Sequence, residues 1–295
     1  IIVAKDKNER FIGQFQRIPC KYYIDGELFD AYWGMDYIVE EASRGSAAGV
    51  FLAKQALKDN HFGMGLSPIS FKLHILLGEK HISDYYKYIR FKSLPDLLKF
   101  ALSIIIKHPL LSRNTSDYYP NIINIGSVCF QKKSNPSDIN WEFENNNYIE
   151  FSRDKEFLSW RFGSYPKIFT TYTYGDESGT KAYFIIRNVI WKGLPFLLLV
   201  DYKYRGDTLQ PLLKAVSKIL KKSHNYGIVT LSSFSDVDRA LKHNRYIKFG
   251  SSGQIVTNIR INLSKQQIKQ RKSIFVTFAD SDADFFYGNK EWYEL

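Results

Sequence analysis

Cysteine is nearly missing from this chain: of 295 residues only Cys20 and Cys129 carry a thiol. They stand far apart and without metal-like spacing, so neither a disulfide framework nor a cysteine-built zinc site is available, and the reducing cytoplasm is the expected setting. Long apolar runs are missing too. The richest stretch, residues 97–106, is shorter than a membrane span and is interrupted by Lys99, so no membrane span is expected. The chain opens at Ile1 on a strand-like apolar run without the flanks of a secretory signal. The first repeat described below starts where its fold should already be under way, and the natural protein is expected to extend upstream. Acid is scarce relative to base, with 30 Asp and Glu against 41 Lys and Arg leaving a formal charge of +11. That excess attracts polyanions without choosing among them. The basic residues are spread out, with small clusters only at 132–133, 221–222 and 269–272. No helix-turn-helix, zinc-finger or ribonucleoprotein pattern occurs, so nucleic acid is not the expected partner.

What is present points to a folded α/β chain. Apolar residues at 44 % and aromatics at 16 % can build packed interiors, and this length suits two cores of about 100 to 150 residues each. The first part reads as strand 1–4, polar turn 6–9, strand 11–23 and the hairpin turn Asp25-Gly26. Strand 31–40, a Ser-Arg-Gly turn, helix 47–57, a short strand 62–66 and a helix from about 68 to 77 follow. The second half repeats this β-β-β-α-β-α order, with strands 170–174, 181–190 and 196–202, helix 209–222, strand 227–231 and helix 236–242. Arg44-Gly45 falls opposite Arg205-Gly206, and Leu66-Ser67 opposite Leu231-Ser232, at nearly one offset. Such a period reads as duplication of one domain. Between the copies, 94–107 reads as an amphipathic helix and 112–147, rich in Asn, Ser, Asp and Pro, as an irregular linker. The expected domains are therefore 1–93 and 148–295, joined by 94–147.

The loop Arg44, Gly45, Ser46, Ala47, Ala48, Gly49 lies between an apolar strand and a helix. Small residues there let a ligand approach the backbone, and free amides together with the helix dipole favour a pyrophosphate. The pattern resembles the acetyl-CoA loop of the GNAT acyltransferase superfamily: Arg or Gln, two residues, Gly, one residue, Gly or Ala. Arg44 and Gly49 match, and Ala47 replaces the usual middle Gly. Downstream, Ser67, Ser70, His74 and Gly78 take the places of that family's Asn, small residue, Tyr and Gly at the family's spacing.

The resemblance implies an α/β (α+β) chain of two tandem GNAT-like domains, each a mixed, mostly antiparallel central sheet flanked by helices. It implies acetyl-CoA or another acyl-CoA as co-substrate, with no metal. Ile38 and Val39, the loop residues Arg44 to Gly49, and Ser67 would contact the carrier, the backbone of 37–40 holding its pantetheine arm and a local splay polarising the thioester carbonyl. His74, in the place of the family's Tyr, would protonate the departing thiolate. The gain would be modest, because a thiol of pKa about 8.5 leaves well unaided. An amine attacks only when neutral, and Asp36, Glu40 and Glu41 are the nearby carboxylates able to take its proton.

The second copy is worn. Arg205-Gly206-Asp207-Thr208-Leu209-Gln210 keeps the Arg and first Gly, but Thr208 and Gln210 add bulk and Asp207 sets a negative charge where phosphate would lie. The position equivalent to His74 falls near Arg239 or Ala240. This half is expected to complete an acceptor cleft rather than to bind CoA. Residues 153–162 and 278–284 resemble segments of tandem GNAT-type proteins encoded with bacterial surface-polysaccharide genes, which implies an amine or amino-sugar acceptor, with Trp160 and Arg161 offering it a stacking face and a cation. Asp280, Asp282, Asp284 and Glu291 mimic the spacing of a calcium loop, but Phe285 stands where such a loop needs Gly. Two other readings of the same fold stay open: a Fem-type aminoacyl transferase using charged tRNA, which needs no CoA loop, and a non-catalytic binding protein.

Overall fold

The computed structural model describes residues 1–106, 118–144, 146–164, 167–177, 179–260 and 263–280. Its first elements are β1 (Ile2–Lys5), β2 (Phe11–Ile24), β3 (Glu27–Val39), α1 (Ala48–Ala56), β4 (His61–Met64), α2 (Pro68–Leu76), β5 (Lys80–Phe91) and α3 (Leu94–Ile106). Next come β6 (Ile122–Ile125), β7 (Val128–Lys133), β8 (Ile149–Phe151), α4 (Lys155–Leu158), β9 (Thr170–Asp176), β10 (Gly179–Trp191), β11 (Leu194–Tyr204) and α5 (Leu209–Lys222). The last are β12 (Gly227–Ser232), α6 (Ser235–His243), β13 (Ile247–Thr257), α7 (Lys265–Lys269) and β14 (Ile274–Phe275). The β-β-β-α-β-α order thus occurs twice, as β1 to α2 and as β9 to α6. Among the described residues no helix is long and apolar enough to cross a membrane.

Two compact units divide the chain, and neither is continuous in sequence. The first gathers residues 1–85, 144–152 and 251–276; the second gathers 86–143, 153–250 and 277–295. The sequence pattern instead placed the whole of 148–295 in one domain. The difference arises because strand pairing, not chain proximity, decides membership: β8, most of β13, and β14 pair into the first unit's sheet. A second difference concerns 112–147. Its polar composition hid the antiparallel strands β6 and β7, which turn at Gly126 (φ 59°) with Ile125 opposite Val128.

In the first unit β2 and β3 form a long hairpin closed by Asp25 (φ 51°) and Gly26 (φ 81°), the two left-handed residues of a turn whose twist suits paired strands. β4 lies parallel to β3 and antiparallel to β13, while β8 pairs with the far end of β2 and with β14. Trp33, Phe62 and Phe151 pack together with ring centroids 4.8 to 5.4 Å apart. Helix α1 closes the neighbouring face, setting Leu52 and Ala56 on Phe15, with Ile2, Ala4, Tyr37 and Val39 around them.

In the second unit the order is the end of β5, then β12, β11, β10, β9, β7 and β6; all its pairs are antiparallel except β11 with β12. Strand β11 is buried along nearly its whole length, as expected of a central strand covered on both faces. Helix α5 buries Leu209, Leu212, Leu213, Val216, Ile219 and Leu220. Within this apolar setting lies a charged cluster. Arg153 pairs with Asp201 (Nε to Oδ2, 2.9 Å) and Asp280 (Nη2 to Oδ1, 2.7 Å), and Tyr183 donates to Asp201 at 2.8 Å.

Candidate active site

The site begins with an irregularity in β3. Gln14 pairs with Ile38 but Gln16 pairs with Met35, so Phe15 alone faces both Asp36 and Tyr37. This is a β-bulge, and Asp36 takes it up with φ 40°. The strand also parts from its neighbour here: β3 pairs with β4 only at Tyr32–His61 and Trp33–Phe62, and beyond Trp33 the ladder stops. Residues 34–38 therefore have no ladder partner on that side, as they must if an extended ligand is to pair with the strand. Ile38 is 52 % exposed, and with Glu40 it lines an open groove of about 380 Å3 whose other walls include Ile1, Val3 and Phe11.

After Glu40 the chain makes a short 3-10 turn over Glu41–Ser43 and enters α1 through an exposed loop. Ser46 donates its amide to Ser43 O and offers its Oγ to the Ala48 amide at 3.2 Å. The first helical bond runs from Phe51 N to Ala47 O, and no side chain caps α1 from Ala47. The amides of Gly49 and Val50 are thus left facing outward at the positive end of the helix dipole, which suits an anion. A Cβ on Gly45 would meet nothing within 4 Å, so the approach is open, whereas a Cβ on Gly49 would come 2.6 Å from Tyr37 Oη. Small size is needed at Gly49 for packing against Tyr37 and at Gly45 only for access. Arg44 is exposed and its Nε donates to Val39 O at 3.3 Å, tying loop to strand.

The carboxylates differ in their surroundings. Asp36 and Glu41 are exposed. Glu40 is held by Arg10 (3.2 Å) and by the Ser43 hydroxyl (3.4 Å). Ser67 caps α2, its Oγ accepting from the Ser70 amide at 3.1 Å, so its hydroxyl serves the helix first. In the second unit Trp160 is 53 % exposed, but Arg161 is 8 % exposed and its Nε donates to Ala279 O at 3.4 Å. The expected cation beside Trp160 is turned inward. The acidic run at 280–291 lies outside the described residues apart from Asp280, which is spent on Arg153.

His74 is the buried residue of α2, at 1 % exposure, and two residues that the sequence reading passed over hold it. Helix α2 ends in a Schellman motif: Gly78, at φ 100°, donates to Ile75 O, and Glu79 donates its amide to His74 O. That reversal folds Glu79 back onto His74. Its carboxylate bridges two imidazoles, accepting from Nδ1 of His74 and from Nδ1 of His61 (2.8 Å), the first residue of β4. Burial pushes the Glu79 carboxyl up, but the hydrogen bonds and charge of His61 and His74 outweigh it and hold the group below its ordinary value. Ligand atoms of these three side chains lie within 4.8 Å of one another, a spacing that could hold a metal ion. With both Nδ1 atoms already bonded to the carboxylate, the trio is complete as a hydrogen-bonded unit, and Nε2 of each ring has no partner. The sequence signal for Glu79 was its position after Gly78, the one that returns to the helix's last turn.

The corresponding place in the second unit is built differently. β11 also carries an extra residue, between Ile185–Asp201 and Ile186–Leu199, and also pairs in parallel with β12 for only two residues. Here, however, side chains bridge the parting strands: Tyr202 Oη donates to Leu231 O at 3.0 Å, and Thr230 Oγ1 donates to Leu199 O at 3.4 Å. The loop is likewise committed to itself, with Arg205 lying 4.9 Å from the Trp141 ring and Thr208 Oγ1 accepting from the Arg205 amide.

No family model matches the sequence, and no curated protein matches it. The fold does have solved counterparts. A GCN5-related N-acetyltransferase from Anabaena variabilis superposes with TM-score 0.53 at 11 % identity over 86 % of this chain and 61 % of its own. An Enterococcus faecalis protein described as a probable N-acyltransferase gives 0.54 at 12 %, over 85 % and 59 %. Saccharomyces cerevisiae N-myristoyltransferase with bound myristoyl-CoA gives 0.52 at 12 %, over 86 % and 64 %. The chain spans about three fifths of the length of these proteins. The mixed, mostly antiparallel α/β architecture flanked by helices is therefore that of the GNAT fold.

Proposed function

We propose that the chain is an N-acyltransferase that moves an acetyl or longer acyl group from acyl-CoA to a primary amine, an amino sugar being the favoured acceptor. The observation that carries this reading is the bulged β3, parted from β4 beyond Trp33 and followed, after a short turn, by an exposed loop at the start of α1. The carrier's diphosphate would rest on the amides of Gly49 and Val50 beside Gly45 and Arg44, and its extended arm would run along the edge of β3 at Tyr37 and Ile38. The binding of acyl-CoA by the N-myristoyltransferase structures supports the same choice of carrier.

The chemistry asked of the protein is small. The amine nitrogen forms its bond to the thioester carbonyl carbon, the carbon–sulfur bond breaks, and the amine's proton must go to a base. Exposed Asp36, at the bulge, is the best placed of the three carboxylates, since Glu40 is bound to Arg10. Glu79 accepts from Nδ1 of His74, so the second proton of its imidazolium form would sit on Nε2, from which it would pass to the departing thiolate and leave the neutral ring. Duplication of one domain, with the second copy closed to the carrier by Tyr202 and Thr230, fits the recurring element order.

Isothermal titration with acetyl-CoA and myristoyl-CoA tests the reading. Micromolar one-to-one binding by the native chain, lost in Gly45→Trp with an unchanged circular dichroism spectrum, is the expected result. Retained affinity in that variant, or no binding by the native chain, overturns it.

A further inference from the structure

In the second unit an open pocket of about 500 Å3 is walled largely by positive charge, from Arg90, Lys214, Lys218, Lys221 and Arg245, with His243 beside them. These come from three separate stretches of sequence, which is why no cluster announced them. Lys214, Lys218 and Lys221 stand at i, i+4 and i+7 on α5 and so share one helix face. Arg90 comes from β5, and His243 and Arg245 from the turn that leaves α6. Among the described residues none of the six has a carboxylate within ion-pair distance. The half-buried Arg90 is fixed from one side: its Nη1 donates to Ser217 Oγ (2.5 Å) and to Asn244 O (3.0 Å), while Lys218 reaches Asn124 O at 3.3 Å. Arg245 holds its place with φ 64°, a left-handed backbone that a non-glycine residue adopts at a cost.

Like charges one helical turn apart destabilise a helix, and the cost rises as more of them converge. The lysine near the C-terminus, Lys221, is offset by the helix dipole; Lys214, in the body of α5, has no such compensation. We infer that this pocket binds a compact polyanion carrying two or more phosphoryl groups, such as the diphosphate of a soluble nucleotide or of a lipid-linked molecule. Its volume falls in the range of small-ligand sites. Among the described residues its lining offers no aromatic ring apart from His243, and so lacks the stacking platforms on which single-stranded nucleic acid binds. The site does not depend on the acyltransferase reading, since it lies wholly within residues of the second unit.

Titration of the full chain with inorganic pyrophosphate, uridine diphosphate, and phosphatidylcholine vesicles doped with a polyprenyl diphosphate tests it. In the Gly45→Trp background, where the first-unit loop is blocked, pyrophosphate is expected to bind one-to-one, more weakly as salt rises. The double variant Lys218→Glu with Arg245→Glu is expected to weaken binding by at least about tenfold, the effect of losing one charged hydrogen bond. A tighter fit to uridine diphosphate than to the vesicles identifies a soluble source, and the reverse a lipid-linked one. The control Lys7→Glu with Lys54→Glu, which changes net charge equally in the first unit, is expected to leave affinity unchanged. Equal loss in the control, no binding of pyrophosphate, or binding of a short single-stranded oligonucleotide well above pyrophosphate each overturns the proposal.

Discussion

At the scale of single residues, glycine and histidine positions separate folding from function. Gly45 touches nothing that a side chain would disturb, while Gly49 packs against Tyr37. Gly49→Ala is therefore expected to lower the melting temperature, and Gly45→Ala to leave it unchanged; equal melting curves would remove Tyr37 from the account of the loop. Glu79 makes a second test. Its folded pKa is depressed, so its stabilising contribution is complete above the unfolded value of 4.5 and is lost as pH falls through the lower folded value. Native protein should lose stability steeply below about pH 4.5, and Glu79→Gln, weaker at neutral pH by roughly 1–3 kcal/mol, should show a flatter acid limb. Parallel limbs in pH-dependent melts would mean that Glu79 is not ionised between the histidines. His74 could be found from motif spacing alone. His61 could not, because its role needs β4 to lie beside the end of α2, a contact that local pattern does not encode.

Elements were legible where local chemistry dictated them and obscure where tertiary partners did. The Asp25-Gly26 hairpin, the Ser67-Pro68 start of α2 and the apolar face of α5 each follow from short-range rules. β8 and β14, of three and two residues, have too little sequence to carry a periodicity and exist because an unpaired strand edge awaits them. The bulge in β3 was likewise invisible, since a bulge is defined by its partner strand. Packing of α1 can be measured directly: Leu52, 2 % exposed against Phe15, should cost about 2–5 kcal/mol when cut to Ala, read from urea unfolding. Arg153→Met should cost about 3–5 kcal/mol by removing the guanidinium that pairs with both Asp201 and Asp280 and leaving Lys203 as the remaining cation beside them. A loss below about 1 kcal/mol would show that those carboxylates take up protons instead.

For the whole molecule, the two compact units are each assembled from separated stretches of the chain. Segments 144–152 and 251–276 belong with residues 1–85, so a chain cut between residues 147 and 148 strands β8, β13 and β14 away from their sheet. Separately expressed 1–147 is expected to be insoluble or to lack a cooperative melt, whereas co-expression of both pieces should recover soluble material; an independently folding 1–147 would contradict the division. The same interleaving governs synthesis. Domains commonly complete in the order in which they leave the ribosome, yet here the unit that holds the earliest residues must wait, its β4 edge bare, until β13 and then β14 emerge more than 180 residues after β4. That long wait leaves one side of β4 without its strand partner for most of synthesis, a consequence of the topology itself.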